Sequence, residues 1–109
     1  MIFDGERAQE IELGKLNSVP SVYKTQNDEI LVVRTGGNLV GVSNICPHKM
    51  GPLNEGGFIG VGKRVVECPW HGFQFNLLTG LCVKGGARPL RQYQIRVEND
   101  LAYAQEVIP

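Results

Sequence analysis

The chain lacks any apolar run longer than a few residues, so no segment has the length of a membrane-spanning helix. It also lacks an excess of either charge. Eleven Lys and Arg balance eleven Asp and Glu, which withholds a general electrostatic grip on nucleic acid or an anionic membrane. Cysteine is scarce and odd in number: Cys46, Cys68 and Cys82. The opening stretch "MIFDGERAQEIE" is acidic and has neither the basic nor the apolar region of a signal peptide. The expectation is a cytosolic monomer whose cysteines serve metal or redox chemistry rather than a disulfide framework. Histidine is nearly missing, with only His48 and His71. No window holds a 3.6-residue apolar period, so no helix is predicted.

What is present reads as short strands and turns. At 109 residues the chain is one domain, long enough for a modest core. "EILVVRT" (Glu29 to Thr35) and "NLVGVSN" (Asn38 to Asn44) flank Gly36 and Gly37, which is the pattern of a hairpin. "RVVEC" is a further strand, and "FQFNLLTGLCV" turns at Thr79-Gly80. "YQIRVE" alternates at period two, Asn99-Asp100 turn it, and "LAYAQEV" returns. This is an all-β, antiparallel domain.

Two Gly- and Pro-rich segments break the strand pattern: "CPHKMGPLNEGGFIGVG" (Cys46 to Gly62) and "CPWHGFQF" from Cys68. Each opens with a cysteine followed by a histidine, as Cys-x-His, then the nineteen residues Lys49 to Glu67, then Cys-x-x-His. Both histidines of the chain therefore lie beside a cysteine. Covalent haem needs Cys-x-x-Cys-His, which is absent. A catalytic Cys–His pair leaves the second pair unexplained. A Cys46–Cys68 disulfide ignores the histidines and would be reduced in the cytosol. Four unligated residues would share no common purpose. Two metal answers remain. Zinc accepts two Cys and two His tetrahedrally, although it usually takes them as Cys-x-x-Cys and spaced His pairs. A [2Fe–2S] cluster would use both thiolates on one iron and both imidazoles on the other. The loop glycines suit the second answer, because backbone N–H groups must come close to negatively charged sulfur.

"CPHKMGPLNEG", "ECPWHGFQFNLLTG" and "ARPLRQYQIRVE" resemble the Rieske iron–sulfur family, and among its members the soluble Rieske ferredoxins and the Rieske domains of ring-hydroxylating oxygenases. The likeness runs from about Glu29 to the C-terminus. It implies three small antiparallel sheets, with the cluster at the tip of one subdomain under two ligand loops (about 46–62 and 68–75) and a third loop (about 84–89). By the same likeness, Cys46 and Cys68 bind the inner iron, and His48 and His71 the outer iron near the surface. Rieske proteins of respiratory and photosynthetic cytochrome complexes carry an additional disulfide, and Ser and Tyr donors to the cluster. The matching positions here are Gly51 and Trp70, and Phe73 and Phe75. These departures imply a soluble member of low potential. The nineteen-residue gap is slightly long, with an extension around "GFIGVGK".

The resemblance implies a one-electron carrier, passing electrons from a flavoprotein or other reductase to an acceptor such as a terminal oxygenase. It does not imply a complete oxygenase, which also needs a mononuclear iron on two further histidines and a carboxylate. The alternatives are a small subunit or detached domain of an oxygenase or nitrite-reductase-type complex, and a zinc-stabilised binding module. Among the other residues, Cys82 is expected to be a buried core thiol. Pro89 is expected to fix the third loop. Trp70 either shields the cluster or packs its loop. Lys49, Lys84, Arg88 and Arg91 form either a docking rim or an ordinary solvated surface.

Overall fold

The computed structural model describes residues 10–16 and 18–107. The first nine residues of the acidic opening stretch lie outside them. The described strands, in chain order, are β1 (Ile11–Lys15), β2 (Ser21–Lys24), β3 (Glu29–Thr35), β4 (Asn38–Ser43), β5 (Gly57–Ile59), β6 (Val65–Glu67), β7 (Gln74–Asn76), β8 (Cys82–Lys84), β9 (Gln92–Glu98) and β10 (Leu101–Glu106). Single turns of 3-10 helix cover Leu53–Glu55 and Val61–Lys63. No described helix is long and apolar enough to cross a membrane.

The strands form two antiparallel sheets. The larger has the order β1-β10-β9-β4-β3-β2 and the smaller β5-β6-β7-β8. The larger sheet is two three-stranded halves joined only where β4 meets β9, at Gly41↔Tyr93 and Val42↔Gln92. The three small sheets that the family resemblance implies correspond to these two halves and the β5–β8 sheet.

Strand β3 explains how the halves and the smaller sheet hold together. Its run Ile30-Leu31-Val32-Val33 is buried throughout, which a strand with one solvated face would not be. Leu31 and Val33 point to one core, with Val42, Leu53, Val66, Phe75, Leu77 and Leu90. Ile30 and Val32 point to the other, with Tyr93 and Ala104. Residues alternate across a strand, so a single strand serves both. The predicted hairpins are in place. Gly36 and Gly37 take φ of 61° and 85° at the β3–β4 turn, and Asn99 and Asp100 take 53° and 66° at the β9–β10 turn. One correction concerns the segment 46–62. It is not loop throughout, since Gly57–Ile59 pairs with β6 as a hairpin, and the "GFIGVGK" extension is that hairpin's first strand and turn.

Candidate metal centre

The two ligand loops are built on one plan. In the first, the Cys46 N–H donates to the Gly51 carbonyl at 2.9 Å and the Met50 N–H donates to the Cys46 carbonyl at 2.7 Å. In the second, the Cys68 N–H donates to the Phe73 carbonyl at 2.7 Å and the Gly72 N–H donates to the Cys68 carbonyl at 3.1 Å. Each is a six-residue ring that opens on cysteine. Each turns on a left-handed residue at the fifth place, Met50 at φ 62° and Gly72 at φ 72°. Each is also clasped below by side chains. Asn44 Nδ2 donates to Asn54 Oδ1 at 2.8 Å, and the Asn54 N–H donates to Asn44 Oδ1 at 2.7 Å. Under the second loop, Gln74 Nε2 donates to Glu67 Oε2 at 3.0 Å.

The loops bring all four predicted residues together as two like pairs. Cys46 and Cys68 are both buried in the same core between the sheets. Burial pushes the Cys46 thiol above its ordinary value. The backbone N–H of His48 pulls it down, Cys68 pushes it up, and the Lys49 N–H again lowers it. Those amides stabilise charge on sulfur, which a thiolate ligand requires. His48 and His71 are exposed, with ring centroids 5.0 Å apart and planes at 81°. His48 is held below the usual imidazole value by partial desolvation, then by repulsion from His71 and Lys49. A neutral imidazole is the form that ligates metal.

This donor set fits a two-iron cluster. Two buried thiols would hold one iron and two surface imidazoles the other. A single zinc ion instead needs its ligands to converge on one point.

The surroundings are close-packed. A Cβ added to Gly51 would lie 2.8 Å from Cys68 Sγ and 3.1 Å from the Trp70 ring, so the loops meet here without room for a side chain. Trp70 thus packs against the first loop while keeping 55% of its surface exposed. The Gly51 and Trp70 positions, where the cytochrome-complex proteins carry their disulfide, are filled by this contact. Phe75 is fully buried, and Phe73 stacks on His48 with centroids 4.1 Å apart and planes 10° from parallel. Neither brings a hydroxyl to the sulfurs. The third loop lies alongside, and Arg88, Pro89, Leu90 and Arg91 line one depression with Cys46, Pro47 and Met50. Arg91 is 3.8 Å from Asp28, so it is already partnered, while Lys49 and Arg88 are exposed.

Cys82 corrects an expectation. Its thiol is only partly buried and is hydrogen-bonded to the third loop rather than sealed in the core. The Asn44–Asn54 clasp and the Phe73–His48 stack were not anticipated. The clasp joins residues ten apart and has no sequence signature, whereas Phe73 has a signal in its position two residues after His71.

The family comparison agrees with this geometry. The Rieske [2Fe-2S] domain matches residues 6–94. The chain is 32% identical over 100 residues to the cytochrome b6-f complex iron-sulfur subunit of Chlorobaculum thiosulfatiphilum, covering 87% of this chain and 52% of that one. It thus spans about half the length of that relative. It is 31% identical over 75 residues to Ferredoxin CarAc of Metapseudomonas resinovorans, covering 68% and 67% of the two chains. The ferredoxin of carbazole 1,9a-dioxygenase from Nocardioides aromaticivorans IC177 superimposes with a TM-score of 0.71 at 25% identity, covering 86% of this chain and 96% of that one. The chain belongs to the Rieske [2Fe–2S] domain family, and a [2Fe–2S] cluster is its cofactor.

Proposed function

We propose that Cys46 and Cys68 hold the inner iron, that His48 and His71 hold the outer one, and that the chain is a cytosolic one-electron carrier. The observation that carries this is the twin-loop arrangement, with two thiols buried in one core and two imidazoles in contact at the surface. The cluster supplies the chemistry, the gain and loss of one electron. The chain's residues insulate and tune it. Apolar Leu53, Val66 and Phe75 keep water from the thiolate side, and the His48 and Lys49 amides stabilise sulfur charge. The exposed imidazoles give a partner its closest approach.

The donor is a flavoprotein reductase and the acceptor a terminal oxygenase. The likeness to Ferredoxin CarAc and to the carbazole dioxygenase ferredoxin supports this reading. The likeness to a cytochrome-complex subunit supports it less, because Gly51 and Trp70 stand where that branch has its disulfide. Exposed Met50 and Trp70 beside the histidines, with Lys49 and Arg88 nearby, form the docking face.

Voltammetry of protein assembled with iron and sulfide tests the role. Rieske centres span roughly −150 to +300 mV. Hydrogen bonds to charged groups contribute about 1.5–3 kcal/mol each, and about 59 mV corresponds to 1.4 kcal/mol for one electron. With Phe73 and Phe75 in place of two hydroxyl donors, the midpoint is expected roughly 130–250 mV below that of hydroxyl-bearing members, near or below zero. A midpoint at the top of the range would remove the ferredoxin role.

A further inference from the structure

We infer that Cys82 is a positioning residue for His48, acting through the third loop. The Cys82 thiol donates to the Lys84 carbonyl at 3.3 Å and accepts from the Ala87 N–H at 3.3 Å. It thereby closes the turn that contains Gly85 and Gly86, both in left-handed backbone at φ 120° and 74°. That turn carries Gly85 onto Phe73. A Cβ at Gly85 would stand only 2.5 Å from the Phe73 ring, so the backbone itself is the surface the ring rests on. Phe73 in turn stacks on His48 at 4.1 Å, and His48 meets His71 edge-on at 5.0 Å. Cys82 Sγ is thus linked to the His48 imidazole through the turn backbone and the Phe73 ring.

The two glycines make the pin necessary. Gly-Gly is the most conformationally free dipeptide, and a turn built on it is held only by what bonds its ends. Lys84 is also held by its pairing with Gln74 in the β7–β8 ladder, and the Cys82 thiol is what reaches across the turn to Ala87. If the turn opens, Gly85 leaves Phe73, and the ring loses the support that keeps it parallel to His48. An imidazole free to rotate changes how it can face an iron, and ligand orientation is set by such neighbours. Placing the thiol in this role rests on the proposed ligation for its effect on the cluster, but not for its effect on the loop.

Two substitutions of opposite character separate a pin from a packing residue. Cys82→Ser keeps a donor and an acceptor at nearly the same place. Cys82→Val keeps apolar bulk and has neither. Amide hydrogen exchange at Ala87 should be about five- to tenfold faster in Cys82→Val, as loss of one hydrogen bond implies, and near the parent rate in Cys82→Ser. In iron-loaded protein, Cys82→Val should alter the visible circular dichroism and the electron paramagnetic resonance g-values, while Cys82→Ser restores both. Parent-like exchange in Cys82→Val with rapid exchange in Cys82→Ser would show a packing residue and overturn the inference. Changed exchange with unchanged spectra would keep the pin but remove its link to His48. If no cluster forms in the parent protein either, the ligation is at fault, and the exchange measurements still decide the loop.

Discussion

The two ligand loops share a backbone plan and differ in what fills it. In the first the histidine is third in the ring, the left-handed place is Met50, and the sixth residue is Gly51. In the second the histidine is fourth, the left-handed place is Gly72, and the sixth residue is Phe73. The hydrogen bonds set the frame, and the side chains decide how the frames mate. Gly51 lets Trp70 pack directly against the first loop, and Phe73 covers His48. Each loop thus supplies what the other omits, so two similar turns give a centre with distinct thiol and imidazole sides. The loops also rest on different sheets. The first follows β4 of the larger sheet, and the second lies between β6 and β7 of the smaller.

Removing a ligand breaks both loops at once and should have the largest effect. Cys46→Ala, Cys68→Ala, His48→Ala and His71→Ala should each abolish or nearly abolish the red-brown cluster, against about two irons and two acid-labile sulfides per parent chain. Because the cluster ties two loops together, melting temperature should fall as well. One zinc and no sulfide on elemental analysis of protein made with iron supplied would defeat the assignment.

Next come the two loop glycines, which should fail for opposite reasons. Gly51→Ala has ordinary backbone but no space, and overpacking of this kind costs about 1–3 kcal/mol. Its Cβ would press on Cys68 Sγ, so iron retention should drop. Gly72→Ala has space, with Glu67 Oε2 its nearest neighbour at 3.9 Å, but strained backbone. It should cost about 1–2 kcal/mol while keeping the cluster. Iron content measured beside thermal unfolding separates the two. Equal iron loss in both would mean that the Gly51 contact is unimportant.

The seat of the first loop on the larger sheet can be loosened alone. Tyr93 Oη donates to Asp28 Oδ2 at 2.6 Å, and Ser43 Oγ donates to Asp28 Oδ1 at 2.9 Å just before the loop begins. Burial, followed by the hydrogen bond to Asp28 and its charge, raises the Tyr93 hydroxyl well above the usual tyrosine value. A tyrosine raised on folding binds its proton more tightly in the folded chain. Its contribution is therefore complete below the unfolded value near pH 10 and declines as pH rises above it toward the folded value. Tyr93→Phe should cost about 1.5 kcal/mol at neutral pH and flatten the alkaline loss of stability. Urea titrations at pH 7 and above pH 10 measure both. An alkaline slope unchanged in Tyr93→Phe would place the sensitivity elsewhere.

The smallest expected change is a gain. Met50 is 70% exposed and pays left-handed strain that Gly72 does not. Met50→Gly should make the first loop more like the second and raise stability by about 0.5–1 kcal/mol, less the extra freedom glycine has when unfolded. A lower melting temperature would show that the Met50 side chain contributes packing.

Much of this was legible in the sequence because turn residues and scarce ligands are local signals. Gly36-Gly37, Asn99-Asp100 and the placement of both histidines each identify an element within a few positions. The strands that escaped are short or interrupted. β1 contains Gly14 at φ 111° with a register shift, β2 has four residues at a sheet edge, and β5 has three. Their place is decided by partners far along the chain, as when Ile11 pairs with Ala104. The same holds for Cys82. Its apolar strand suggested a core, but the loop that returns over it supplies two polar partners.

Strand β3 has a consequence for how the molecule comes apart. Its two faces belong to different cores, so neither core can open without stripping a strand that the other also needs. The regions therefore share one fate on heating. The end that carries the two Cys-His loops is therefore expected to melt together with the far side of the larger sheet, as one cooperative transition.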